Sequence, residues 1–235
     1  MTLEDWKRDV RELQLWASSC MVAHEGDHPV AVLHACKRPQ ATLVLRLAVH
    51  PEHRRRGHGA HLLKSLSSKL AILGPPRLVA EARGDRRDDV HAFLRSCGYR
   101  EETTLTDWVR EGTGDTGPLS AWAPVTVEQL VESEALQDLP GLAWERTLPT
   151  LLARKDALHG LAAASAERIE GWALWREAGD TAEVWGARNL IPPLGWDRIV
   201  LPKLSEAEVP PRVLERDGYH PARRTVVFTA RASSA

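Results

Sequence analysis

The chain has 235 residues, 43% of them hydrophobic and 27% charged, with a formal net charge of −1. That length allows one large or two small cores, and the composition excludes a chain too polar to fold. The near-neutral charge excludes a globally basic nucleic-acid binder, and no apolar run approaches the ~18 residues of a membrane span.

The opening stretch, MTLEDWKRDV, lacks the apolar centre of a signal peptide, so a cytoplasmic protein without membrane or nucleic-acid partners is expected. Cys20, Cys36 and Cys97 are odd in number and show no CxxC spacing. Three reduced, mostly buried thiols are expected rather than a disulfide framework.

The elements follow in order. Leu3, Trp6, Val10, Leu13 and Trp16 recur at helical spacing. Cys20–His24 and Val30–Cys36 read as two strands joined at the turn-rich Glu25-Gly-Asp27, and Thr42–Val49 as a third. A helix with Leu62, Leu66, Leu70 and Leu73 on one face begins near Gly57–Ala60. Gly74, read as a left-handed cap, and Pro75-Pro76 stop it. Leu78–Ala82 is a strand, Asp88 or Asp89 caps a helix running to Cys97, and Thr103–Val109 is a strand. The order is α-β-β-β-α-β-α-β.

Residues 1–111 carry a net charge of +3 and residues 112–235 a net charge of −4. Between them Glu111-Gly-Thr-Gly-Asp-Thr-Gly-Pro118 is rich in turn formers. This predicts a first domain over 1–111, a linker over 112–117 and a second domain over 118–235. The second half echoes the first. Val30-Ala-Val-Leu-His34 resembles Gly171-Trp-Ala-Leu-Trp175 at an offset of 141, and Leu94-Arg-Ser-Cys-Gly-Tyr99 resembles Leu214-Glu-Arg-Asp-Gly-Tyr219 at an offset of 120. In a duplicated chain, the 21-residue difference falls between Ala182–Arg188 and Arg198–Leu201, where the first copy carries its glycine-rich loop and following helix.

That loop carries the chemistry. A strand ends at Val49, Pro51-Glu-His-Arg-Arg-Arg-Gly-His-Gly59 follows, and a helix begins. Gly57 and Gly59 allow positive φ and close backbone approach. The helix start leaves N–H groups without intrachain partners, and with the positive end of the helix dipole they suit a pyrophosphate. Arg54, Arg55 and Arg56 add charge. A Walker loop and a dinucleotide-binding GxGxxG after a first strand are both absent.

These residues resemble the GNAT superfamily of acetyl-coenzyme A-dependent acyltransferases. Val49-His-Pro51, then Arg54-Arg-Arg-Gly57-His-Gly59, then Phe93-Leu-Arg-Ser-Cys-Gly98-Tyr99 follow that family's landmarks in order. The resemblance covers residues 20–110 well and 118–232 as a degenerate second copy. It implies an α/β (α+β) fold of tandem domains with mixed, mostly antiparallel sheets, the second domain lacking the phosphate loop. It implies that Leu47, Ala48 and Val49 meet the pantetheine and acetyl group of acetyl-CoA, with a backbone N–H near Val49 on the thioester oxygen. The pyrophosphate then rests on the amides of Arg55, Arg56, Gly57, His58, Gly59 and Ala60. The reaction implied is acetyl transfer to a primary amine, on a small molecule or a peptide.

The chain departs from the family in three places. Leu94 stands where many members carry a tyrosine general acid, and Arg46 where many carry a glutamate base. His34, His50 and Glu81 are the remaining candidates, and no catalytic acid or base is assigned. Only about 20 residues precede the first predicted strand, so the family's usual first strand is missing. The incomplete sheet leaves an edge that invites a homodimer. These departures keep open an alternative: a non-catalytic coenzyme A-binding sensor or interaction module.

Histidines 50, 53, 58 and 61 invite a metal, but their spacing matches no metal motif, and none is expected. Trp172, Trp175, Trp185 and Trp196 read as packing rather than a substrate platform. Cys97, with no histidine–aspartate support, reads as structural.

Overall fold

The computed structural model describes residues 2–84, 89–112 and 122–233. The first-half elements are α1 (Leu3–Glu12), β1 (Met21–Glu25), β2 (His28–Lys37), β3 (Thr42–Val49), α2 (His58–Leu73), β4 (Arg77–Arg83), α3 (Asp89–Ser96) and β5 (Arg100–Glu111). Their order is the one the periodicity predicts. There follow β6 (Trp122–Pro124), α4 (Val127–Glu132), α5 (Leu148–Arg154), β7 (His159–Ala164), β8 (Ile169–Ala178), β9 (Thr181–Arg188), β10 (Arg198–Leu204), α6 (Pro211–Arg216) and β11 (His220–Arg231). The fold is mixed α/β with mostly antiparallel sheet.

The chain divides into two compact units, one running to Thr103 and resuming at Thr225, the other spanning Thr104–Arg224. A linear cut in the 112–117 segment is what the sequence suggests. The structure instead exchanges the closing strands. From Thr104, β5 belongs to the second unit, where it pairs antiparallel with β10; from Thr225, β11 belongs to the first, where it pairs antiparallel with β4. The two strands follow similar Gly-Tyr helix endings, so a repeat read from sequence cannot say which sheet each completes. Of the predicted linker, only Gly112 is described; residues 113–117 and the helix cap at Asp88 lie outside the described residues.

In the first unit the strand order is β1-β2-β3-β4-β11. Leu62, Leu63, Leu66 and Leu70 of α2 pack with Leu33, Ala35, Val44, Leu78, Ala80 and Phe228. Each such leucine contributes about 1.5–3 kcal/mol of burial. Gly74 ends α2 at φ −138°, which is extended rather than left-handed; its own Cβ would lie 2.2 Å from Leu70 Cδ2, so space and not a left-handed cap demands glycine. Gly98 does take the left-handed conformation (φ 83°), and Tyr99 N donates to Leu94 O at 3.0 Å. Gly218 (φ 81°) ends α6 in the same way, with Tyr219 N donating to Leu214 O at 2.9 Å.

In the second unit the order is β5-β10-β9-β8-β7-β6. Between β9 and β10, residues 189–197 form no helix. Trp172 is buried and donates from Nε1 to Ala135 O at 3.1 Å, Trp175 and Trp196 pack on the core, and the guanidiniums of Arg154 and Arg176 lie over the Trp185 ring. All three cysteines are free; Cys36 is buried, while Cys20 and Cys97 are half-buried, with burial raising both of their thiol pKa values. No described helix is long and apolar enough to cross a membrane.

Candidate functional site

The site begins where two strands part. Parallel β3 and β4 pair only at Thr42↔Leu78, Leu43↔Val79 and Val44↔Ala80. Beyond Val44, β3 stays on β2 through Arg46↔His34 to Val49↔Ala31. His50 N donates to Val30 O of β2 at 2.8 Å. Because N–H directions alternate along a strand, the amides of Val49 and Leu47 face the opposite way, into the gap on the β4 side. At the rim Arg54 Nε donates to Val49 O at 3.2 Å. The side chains of Leu47 and Val49 pack on the core, and Ala48 is exposed on the other face.

A short 3-10 turn over Pro51–His53 leads from β3 to an exposed stretch, Arg54 to Gly57, and then to α2. Arg55 (φ 64°) and Gly57 (φ 88°) both take positive φ. A Cβ at Gly57 would meet nothing within 4 Å, so the turn is open on that side. No side chain caps α2, and the first capping-turn bond is His61 N to Gly57 O at 2.9 Å. Among the described residues the amides of Arg55 to Ala60 meet no intrachain acceptor. Gly59 is different: a Cβ there would lie 3.2 Å from Phe93 Cζ and 3.6 Å from Val49 Cγ2. That glycine lets the start of α2 press against β3 and α3, which sets the loop at the mouth of the gap.

Glu25, at the end of β1, holds the loop from the side. Its Oε1 lies 2.7 Å from His58 Nε2, and its Oε2 lies 3.1 Å from His53 Nδ1 and 3.3 Å from Arg56 Nη1. The two imidazoles, with Arg56, keep the carboxyl below its ordinary pKa. Sequence reasoning missed Glu25 because it sits at a turn that reads only as a hairpin connection. The other candidates separate. Arg46 pairs with Asp9 of α1 at 2.7 Å, and Leu94 is buried in the core. His34 Nδ1 is buried without a partner, its ring lies edge-on to Trp6 at 4.9 Å, and burial followed by the Arg46 charge lowers its pKa. His50 is exposed, and Glu81 lies on β4 in register with Val227.

The second unit has a matching gap, and it is filled. Parallel β9 and β10 pair at Thr181↔Arg198, Ala182↔Ile199 and Glu183↔Val200, then part. Arg146 Nη1 donates to Val184 O at 2.8 Å and to Pro202 O at 3.0 Å, bridging the two strands just past their last pair. Its Nε donates to both oxygens of Glu208, at 2.8 and 3.0 Å, and both side chains are buried.

Residues 16–101 match the family model described as an acetyltransferase (GNAT) domain. No curated protein matches the chain. Among solved structures, a GCN5-related N-acetyltransferase from Anabaena variabilis superposes with a TM-score of 0.67 at 12% identity, covering 99% of this chain and 67% of that one. A tandem GNAT protein from the clavulanic acid biosynthesis pathway gives a TM-score of 0.60 at 15% identity, covering 97% and 88%. A GCN5-related N-acetyltransferase from Sphaerobacter thermophilus gives 0.60 at 14% identity, covering 88% and 78%. At these identities the structures speak for the fold, and the family model speaks for the segment bearing the open gap and the uncapped helix. Residues 16–101 of this chain are thus similar to an acetyltransferase (GNAT) domain.

Proposed function

We propose that this protein transfers an acetyl group from acetyl-CoA to a primary amine, using the first unit alone. The observation that carries the reading is the parting of β3 from β4 beside a helix whose N-terminus has no cap. A diphosphate needs several N–H donors on a positive dipole end, which the amides of Arg55 to Ala60 offer, with Arg54, Arg55 and Arg56 adding charge. A pantetheine arm needs an unpaired strand edge, which the amides of Leu47 and Val49 offer. Acetyl-CoA supplies the acyl group as a thioester. The Val49 N–H is oriented to stabilise charge developing on the carbonyl oxygen. The amine attacks the carbonyl carbon, the C–S bond breaks, and the products are an amide and a free thiol. Holding both reactants in the gap supplies much of the rate.

The second unit is proposed not to bind coenzyme A in this manner. It has no helix between β9 and β10, and the Arg146 guanidinium occupies its gap. One further partner is proposed, a second copy pairing on β1, which ends the strand order and exposes Val22.

A second reading keeps the coenzyme site and drops turnover. Leu94 offers no proton and Arg46 is held by Asp9, so the positions of the usual acid and base are spent. Two measurements separate the readings. Calorimetry with coenzyme A should show one site, abolished by Gly57→Glu and retained by Gly57→Asn, since asparagine tolerates positive φ. Incubation with acetyl-CoA and a panel of amines should release free thiol. Binding without release leaves the sensor, and absent binding refutes both.

A further inference from the structure

We propose that Glu25, His53 and His58 form a three-ligand site for a divalent transition-metal ion, Zn2+ by the chemistry of its donors. Two imidazole nitrogens and a carboxylate oxygen favour Zn2+ over Mg2+ or Ca2+, which prefer oxygen alone. The proposal goes beyond the acetyl-transfer reading and does not rest on it.

The geometry is close to that of a loaded site. One ligand atom from each residue lies within 4.8 Å of the others. His58 Nε2 and His53 Nδ1 stand 2.7 and 3.1 Å from the two carboxylate oxygens of Glu25. Ligands about 2.0–2.2 Å from a tetrahedral ion are roughly 3.3 Å from one another, so the His58–Glu25 pair, at 2.7 Å, would open by about half an ångström on loading. His53 Nδ1 is closed off from solvent and faces Glu25 Oε2 at 3.1 Å.

The three residues sit on separate elements: Glu25 ends β1, His53 closes the 3-10 turn and His58 opens α2. An ion there would tie the edge strand to the loop and leave one coordination position open for water or an anion. Arg56 Nη1 lies 3.3 Å from Glu25 Oε2, but its side chain is 56% exposed and can turn to solvent as the ion enters. The spacing of histidines 50, 53, 58 and 61 gives no metal motif because the third ligand lies far upstream, across the β2–β3 hairpin.

The test uses the full chain after chelator treatment. Titration with Zn2+ should show one ion per chain, and Co2+ should give the visible absorption of a four- or five-coordinate site. His53→Ala, His58→Ala and Glu25→Gln should each weaken Zn2+ by more than the ~10–100-fold that losing a merely supporting partner costs. His50→Ala, whose ring lies edge-on to His53 at 5.5 Å, should leave affinity unchanged. Circular dichroism checks that each variant is folded, and the Co2+ spectrum of the unaltered chain needs no variant. Absent binding, a six-coordinate Co2+ spectrum, or binding that survives the triple substitution overturns the proposal. Calorimetry with coenzyme A on the zinc-free protein reads the acetyl-transfer proposal separately.

Discussion

Arg146→Met tests whether the guanidinium in the second gap is a structural member of that sheet. Arg146 is 1% exposed and Glu208 is 4% exposed. Methionine keeps the apolar stem but removes both bonds to Glu208 and both bridges to Val184 O and Pro202 O. Among the described residues Glu208 would keep only the bond from Ser205 N at 3.0 Å, leaving a buried carboxylate without its guanidinium. Breaking such a pair by removing one partner costs about 3–5 kcal/mol, a large share of a typical stability of about 5–15 kcal/mol. The assay is urea unfolding followed by tryptophan fluorescence. Only Trp6 and Trp16 of the nine tryptophans lie in the first unit, so the signal reports mainly on the second. Glu208→Gln keeps an acceptor for Ser205 N while removing the charge. The double variant should therefore recover part of the loss, with a coupling of about 1–3 kcal/mol in a mutant cycle. A loss under about 1 kcal/mol for Arg146→Met, or strict additivity in the cycle, would refute the argument.

Other outcomes follow from features of the first unit. Leu66→Ala, at a fully buried position on α2, should cost about 2–5 kcal/mol in urea unfolding followed by far-ultraviolet circular dichroism. Gly59→Val should cost about 1–3 kcal/mol, because its Cβ would start 3.2 Å from Phe93 Cζ, and Phe93→Leu should relieve part of that. His34 has a folded pKa below its unfolded value of about 6.5, so the unfolded chain binds the extra proton. Stability should therefore be full above that unfolded pKa and fall with pH down through the folded pKa. His34→Gln should flatten this slope in melts taken across pH 5–7. An unchanged slope would remove His34 as its source. Cys20 and Cys97, both with raised thiol pKa, should react more slowly with a thiol reagent at neutral pH than a free cysteine does.

Much of the fold is legible along the chain because its elements are strongly periodic. Thr42–Val49 has the same bounds in sequence and structure, and Leu62, Leu66 and Leu70 mark the buried face of α2, whereas Leu73, expected on that face, is exposed at the helix end. The Gly-Tyr endings at residues 98–99 and 218–219 announce matching helix ends, which the structure contains. What pattern cannot show is pairing between remote segments. Alternation in β5 and β11 says that each is a strand, not which sheet it joins. The ion pairs Asp9–Arg46 and Arg146–Glu208 likewise link residues far apart in sequence. At the candidate site the glycines and arginines of the loop are readable from local chemistry. Glu25 is not, since nothing near a hairpin turn marks its carboxylate as facing a histidine far downstream.

The exchange of closing strands bears on how the protein is made. As the chain leaves the ribosome, everything through Thr103 emerges early, but the edge of β4 must await Thr225–Arg231 before it is covered. During translation that edge is open to mispairing, either with β5, which arrives first, or with another nascent chain. A gene fragment stopping near residue 111 would leave this vulnerability permanent, so recombinant halves are poor proxies for the intact polypeptide.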